Sequence, residues 1–258
     1  MESVLSPIKE TPEQIARSLF QSDPEPLPFD IQCCDYRKYL KGLESNSVDL
    51  ILTDPPYNIS RQTGFSKLGK NSVERFAVSM DFGEWDHKPI NLKTFTKLAY
   101  RVLRQGGTAI VWYDLWKLSY LADAMASAGF KMLRLIVWNK TNPVPLNSKS
   151  CYLSNSREMA VLGVKVGKPT FNGEYDNGEY NYPIPRHNGK KIHPTQKPLD
   201  LFNDLVIKHS DPGDVVLDPF LGSGTTAVAS IDSDRSFIGC DIDPVYIDGA
   251  KNRILEIL

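Results

Sequence analysis

From Phe29 onward the chain alternates short apolar, β-branched runs with longer stretches of helical periodicity, and that alternation leaves few folds open. Strand-like runs fall at residues 29–33, 48–53, 108–112, 130–138, 214–217 and 236–239. Helical periodicity fills 36–43, 92–103, 115–128, 199–209, 225–230 and the stretch beginning near 245. Strands separated by helices predict an α/β domain whose mostly parallel sheet is covered on both faces. Gly106-Gly107 and Gly129 stand where two of those helices stop and are expected as C-terminal caps. A length of 258 residues with 41% apolar and 24% charged side chains suits one large domain with a sizeable core.

No run approaches the roughly 18 apolar residues of a membrane span, and the first residues lack the basic and apolar blocks of a signal peptide. A cytoplasmic protein is expected. Cys33, Cys34, Cys151 and Cys240 show no CxxC spacing and no histidine cluster, so neither a metal site nor a disulfide framework is supported. They are expected as reduced residues in or near the core.

Three stretches depart from the alternation. Residues 1–27 form an arm rich in acids and prolines. Residues 58–90 are polar and carry Arg61, Lys67 and Lys70, as a flap over a site would. Residues 164–192 interleave Tyr175, Tyr180 and Tyr182 with Lys165, Lys168, Arg186, Lys190 and Lys191. The net charge of the chain is only −1, but residues 131–197 hold eleven Lys or Arg against four acids, a net +7. A basic middle in a neutral chain fits a phosphate-contacting surface, although a solvated charged face has the same composition. The expected organisation is an arm at 1–27, a catalytic part at 28–163, a recognition insertion at 164–192 and a cofactor part at 193–258.

Asp54-Pro55-Pro56-Tyr57 follows directly on the apolar run at 48–53, so a buried strand ends in a carboxylate, two prolines and an aromatic ring. Prolines donate no backbone hydrogen bond and hold the chain extended, leaving the Asp54 carboxylate and the Pro55 carbonyl as acceptors beside Tyr57. A planar aromatic amine fits such a cradle.

Farther along, Asp218-Pro219-Phe220-Leu221-Gly222-Ser223-Gly224-Thr225-Thr226 passes from a strand through a glycine turn into a helix. Such turns bring backbone N–H groups close to a nucleotide. Asp218 at the strand end would repel a pyrophosphate but suits a cationic ligand, and S-adenosylmethionine carries an ammonium and a sulfonium. Asp241 ends the next strand, where nucleotide-binding folds hold ribose hydroxyls. His193-Pro194-Thr195-Gln196-Lys197-Pro198 enters a helix and offers Thr195, Gln196 and Lys197 to the amino-acid end of that ligand.

These motifs, in this order, resemble the β-class of amino-group DNA methyltransferases, which make N6-methyladenine in bacteria and phages. The resemblance runs from Phe29 to the C-terminus. It implies a Rossmann-like, S-adenosylmethionine-dependent methyltransferase fold with a mostly parallel seven-stranded sheet and circularly permuted motifs. It implies site-specific methyl transfer to adenine N6 in DNA after base flipping, with Asp54, Pro55, Pro56 and Tyr57 as catalytic residues. The cofactor would be held by Asp35, Thr195, Gln196, Lys197, Asp218, Phe220, Gly222, Ser223, Gly224, Thr225, Thr226 and Asp241. DNA contacts would come from Arg61, Lys67, Lys70, Lys140, Asn142, Lys165, Lys168, Arg186, Lys190 and Lys191. Trp138-Asn139-Lys140 and the later Arg157-Glu158 look like a family element near the target base. DNA is the implied partner, with a second copy of the chain and a cognate restriction endonuclease as further partners, and DNA would draw the protein to the nucleoid. The family often has Gly where Cys34 stands and Ile-Glu where Cys240-Asp241 stands. Cytosine N4 methylation uses the same geometry, and a catalytically silent DNA-binding module on this scaffold is the reading from another class. Asp at the first motif position is commoner for adenine and Ser for cytosine.

Overall fold

The computed structural model describes residues 28–56, 90–143, 154–185 and 196–258. The expected arm at 1–27, the bulk of the expected flap, and Tyr57, Cys151, Thr195, Arg186, Lys190 and Lys191 lie outside them.

Eight strands form one sheet: β1 (Phe29–Cys33), β2 (Val48–Thr53), β3 (Leu103–Tyr113), β4 (Lys131–Lys140), β5 (Arg157–Val164), β6 (Glu179–Tyr182), β7 (Val215–Asp218) and β8 (Ser236–Asp241). Their spatial order is β1-β8-β7-β2-β3-β5-β4-β6. All neighbours run parallel except that β5 is antiparallel to both β3 and β4. Among the described residues six α-helices accompany them, the last following β8: α1 (Tyr36–Gly42), α2 (Leu92–Val102), α3 (Leu118–Ala128), α4 (Leu199–His209), α5 (Thr225–Asp232) and α6 (Pro244–Leu255).

The strands are apolar on both faces because both faces are covered. Leu50, Leu52, Ile110, Trp112, Val216 and Phe237 pack on one side against α4, α5 and α6, whose Phe202, Val228 and Ile247 complete that layer. Ile51, Ala109, Val111 and Leu217 point the other way, onto Leu40 of α1, Phe95 and Ala99 of α2, and Met125 of α3. Alternate residues of a strand face opposite sides, so one apolar run supplies both cores.

Local signals explain where the helices start and stop. Asp35, Asn91 and Asp243 cap α1, α2 and α6 with side-chain oxygens on backbone N–H groups. Gly129 closes α3 in the left-handed conformation at φ 112°, as expected. Gly106 does not cap a helix. The helix α2 ends at Val102, and Gly106 lies within β3 at φ 78°, where a Cβ would sit 2.3 Å from the Lys168 carbonyl oxygen. Its role is close approach to the loop after β5.

The sheet has eight strands where seven were expected, and β5 and β6 were absent from the expected set. The β5 run is interrupted by Gly163, at which a Cβ would meet Met125 Cε at 2.8 Å, so the glycine reflects tight packing under α3. The β6 strand is four residues of Glu-Tyr-Asn-Tyr, too short and polar to read as buried. It nevertheless pairs with β4 and buries Tyr180. Tyr180 donates its hydroxyl to Asp176 at 2.7 Å, Asp176 pairs with Lys208 of α4 at 2.8 Å, and Tyr182 donates to Asp204 of α4, so these two rings of the expected insertion hold the sheet edge to α4. Tyr175 is fully exposed. Residues 179–182 of the expected insertion are therefore part of the sheet. Among the described cysteines Cys240 is buried, Cys34 is intermediate and Cys33 is exposed, contrary to a core placement for Cys33. No helix among the described residues is long and apolar enough to cross a membrane.

Between β2 and β7 the winding reverses: the chain steps from β2 outward to β3, and from β7 outward to β8 in the other direction. The carboxyl ends of strands flanking such a reversal leave a crevice, the usual ligand position in open α/β sheets. Leu52, wholly buried in β2 two residues before Asp54, carries that edge. Leu52→Ala is expected to cost about 2–5 kcal/mol, read as a lower urea midpoint with the unfolding slope unchanged.

Candidate active site

Four carboxylates reach the crevice because four parallel strands end there: Asp35 after β1, Asp54 after β2, Asp218 closing β7 and Asp241 closing β8. The antiparallel strand β5 begins at the same edge and adds Glu158. Proline at 55 restricts Asp54 to extended backbone, so the chain leaves the strand without turning into a helix.

Asp218 is almost fully buried and takes hydrogen bonds from three directions. Thr53 Oγ1 donates to Oδ1 at 2.6 Å, Thr226 Oγ1 to Oδ2 at 2.7 Å, and the Phe220 N–H to Oδ1 at 3.0 Å. Burial pushes its pKa up to about 6 against those bonds, and the nearby Asp54 charge adds to the rise. Both oxygens are thus engaged by the protein itself, so Asp218 acts first as a clamp between β2 and the start of α5.

The turn it anchors is shaped by glycine. Gly222 and Gly224 have φ of 49° and 74°, and a Cβ on Gly224 would lie 2.7 Å from the Ala250 Cβ of α6. The Leu221 N–H donates to the Cys240 carbonyl at 3.0 Å, pinning the turn to β8. Asp241 accepts the Gly222 N–H at 2.9 Å on one oxygen and the Asp243 N–H at 3.0 Å on the other. Each oxygen keeps a further lone pair for a hydroxyl. Phe220 packs in a ring cluster with Tyr36 and Phe95, at centroid distances of 4.9 and 5.6 Å. Ser223 and Thr225 share a hydrogen bond at 3.1 Å, and Arg253 donates to the Ser223 carbonyl at 2.5 Å. Asp35 is occupied as the α1 cap and as the ion-pair partner of Arg37 at 2.8 Å.

Gln196 Oε1 is buried with no hydrogen-bond partner among the described residues. An orphaned acceptor beside the catalytic edge fits a ligand that brings an ammonium. With the glycine cradle and Asp241, the donor set suits S-adenosylmethionine.

Lys197 is 5% exposed, and its ammonium lies on the Asp54 carboxylate, with Glu158 Oε2 at 3.2 Å and the Trp112 ring centre at 5.8 Å. Lys140 holds the other Glu158 oxygen at 2.7 Å and sits over Trp138 at 5.2 Å. Burial pushes Asp54 up to about 6, opposed by Lys197 and reinforced by Glu158. For Glu158 burial again works upward, but the ammoniums of Lys197 and Lys140 outweigh it and hold the carboxyl below its ordinary range. The same two acids hold the Lys197 ammonium above its ordinary value despite its burial.

The structure brings Asp54, Pro55 and Pro56 together with Gln196, Lys197, the 218–226 turn and Asp241. It places Lys197 on the Asp54 carboxylate, whereas an amino-acid end of a ligand was its expected partner. Lys140 belongs to the Glu158 pair, and Asn142 clamps the chain after β6 through Ile184, accepting its N–H at 2.6 Å. Lys165 and Lys168 lie at the opposite end of the sheet. Lys165 Nζ donates there to the Leu103 carbonyl and to Asn46 Oδ1, each at 2.8 Å. Thr53 was absent from the expected site, and Glu158 was expected only as part of a family element near the target base. An acid opening an otherwise apolar strand, and a threonine directly before the Asp-Pro-Pro run, were the available signals.

A family model described as DNA methylase matches residues 48–252. The Type II methyltransferase M2.DpnII of Streptococcus pneumoniae is 32% identical over 246 residues, 85% of this chain and 87% of that protein. Among solved structures, the M1.HpyAVI–SAM complex shares 26% identity and a TM-score of 0.68, covering 88% of this chain and 98% of the other. The PvuII DNA methyltransferase, described as cytosine-N4-specific, has a TM-score of 0.68 at 17% identity, covering 87% and 86% of the two chains, a likeness of fold.

The Asp218 carboxyl is raised from 3.8 to about 6 on folding, so the protonated form favours the folded state. Its stabilising effect is complete below the unfolded value and is lost as pH rises through the folded one. Asp218→Asn cannot titrate. In urea unfolding between pH 4 and 6, its stability should fall less steeply than that of the wild type, by about 1 kcal/mol per pH unit at most.

Proposed function

Because the chain belongs to the DNA methylase family, and so is an S-adenosylmethionine-dependent DNA methyltransferase, we propose that the group it methylates is the N6 amine of adenine. The observation that carries this reading is the partly buried Asp54 carboxylate at the sheet reversal, one strand away from the glycine turn. Asp at this position, by resemblance, favours adenine over cytosine.

When bound, S-adenosylmethionine supplies an electrophilic methyl group on its sulfonium. The 220–226 turn and Asp241 would hold its nucleoside, and Gln196 its amino-acid end. The adenine N6 lone pair is delocalised into the ring and is a poor nucleophile. Asp54 and the Pro55 carbonyl accept the two N6–H bonds, favour pyramidal nitrogen and direct its lone pair toward the methyl group. As N6 gains a methyl group it becomes cationic, and the Asp54 charge stabilises it in a partly desolvated site. The N6 ammonium then releases one proton. A carboxyl raised to about 6 is well matched to take that proton and pass it to water near neutral pH. The base must leave the duplex stack to reach this edge.

Recognition of a particular DNA sequence is assigned to residues 164–192, of which 179–182 also form the edge strand β6.

Asp54→Ala should retain S-adenosylmethionine binding by calorimetry while turnover on duplex DNA falls at least about a thousandfold. Mass spectrometry of nucleosides from DNA methylated by the wild type should show N6-methyladenine. N4-methylcytosine as the sole product would overturn the choice of base.

A further inference from the structure

We propose that Lys197 is a positioning residue for the catalytic carboxylate. Its ammonium keeps Asp54 in the hydrogen-bond-accepting form, then passes to Glu158 as the substrate amine takes its place. This inference rests on Asp54 being the acceptor for the amine, and it applies to adenine and cytosine alike.

The side chain is largely shielded from water, so its charge is not that of a solvated surface lysine. Lys197 is 5% exposed, and the backbone that presents it is stiffened by Pro198, which caps α4. A buried ammonium is tolerated only where acids face it, and here two do: Asp54 from the end of β2 and Glu158 from the start of β5. Among the described residues, the other charged groups near Asp54 are Asp218 at the end of β7, which repels its charge, and Lys140 on β4, which is engaged by Glu158. The cluster of Asp54, Glu158, Lys197 and Lys140 is neutral with both acids ionised. Without Lys197 it would hold two acids and a single ammonium, and that ammonium lies on the Glu158 side.

Asp54 is then the acid that takes a proton, because burial already lifts its pKa to about 6 while Glu158 keeps the Lys140 ammonium at 2.7 Å. A protonated Asp54 would offer one O–H donor toward the amine and lose its stabilising charge. The ammonium that prevents this also competes with the incoming N6–H for the same oxygens. Glu158 resolves the competition. Its Oε2 is 3.2 Å from Lys197 Nζ, so the ammonium can shift its weight without leaving the pocket, and Lys140 fixes the receiving carboxylate at 2.7 Å. The Trp112 ring, 5.8 Å away, gives the displaced charge an aromatic face.

The test uses the full chain with Lys197→Met, Lys197→Arg and Glu158→Gln, following kcat from pH 5 to 9 and the Asp54 carboxyl carbon by NMR in the unloaded protein. In Lys197→Met the Asp54 titration and the acid limb of kcat should both move up by about one pH unit or more. Lys197→Arg should restore both, which also controls for folding. In Glu158→Gln the titration should move down, because a raising charge is gone, while plateau kcat falls because the ammonium has no second carboxylate to receive it. An Asp54 titration unmoved in Lys197→Met would overturn the positioning role, and an undiminished plateau in Glu158→Gln would overturn the handover. Either result could occur with Asp54→Ala inactive. Turnover surviving in Asp54→Ala would instead remove the reading on which the inference rests.

Discussion

The hydrogen bonds that converge on Asp218 hold this site together. A carboxylate at the end of a buried strand is costly unless its lone pairs are filled, and the donors come from three places that must meet for the site to exist. Thr53 ends the strand that carries Asp54, Thr226 opens the helix after the glycine turn, and the Phe220 N–H belongs to the turn itself. Satisfying one buried acid therefore fixes the catalytic strand against the cofactor turn. The pKa of about 6 records that the desolvation is only partly offset.

A second buried cluster stands one strand away, and its logic is different. Asp218 is neutralised by hydroxyls and a backbone amide, which fix geometry without supplying charge. Asp54 and Glu158 are matched by ammoniums, which can move. Replacing such a charge cluster by apolar residues is often neutral or stabilising, so stability alone does not explain four charged side chains here. The proposed role for Asp54, an acceptor that must stay ionised yet give up its counter-ion to a substrate, would account for them.

Most of this architecture could be read from the residues, and the misses share a cause. The runs at 48–53 and 236–239 and the helix at 199–209 carry unbroken periodic signals, and each lies within a residue or two of its element. Gly129 was legible because a left-handed cap needs only local geometry, whereas Gly106 was misread because its reason is a carbonyl sixty-two residues away at Lys168. The β5 run is broken by Gly163, whose explanation is the Met125 side chain pressed against it. Composition gave residues 164–192 to DNA, but Tyr182 has its partner at Asp204 on α4, Tyr180 at Asp176, and Lys165 at Leu103 and Asn46. Those partners are set by sheet order, which a single sequence leaves open.

The direction of one strand accounts for both what joined the site and what left it. Parallel strands deliver their last residues to the crevice, which is why acids at the ends of β2, β7 and β8 meet although Asp54 and Asp218 are far apart in the chain. An antiparallel strand among them delivers its first residues instead. Because β5 runs against β3 and β4, Glu158 at its start reaches Lys197, while Lys165 just past its end is carried to the far edge. Had β5 been parallel, the basic residues after it would have lined the crevice and the acid would have been lost to the opposite edge. The charge that tunes Asp54 is thus a consequence of topology, and motif order along the chain matters less than which end of each strand bears the functional side chain.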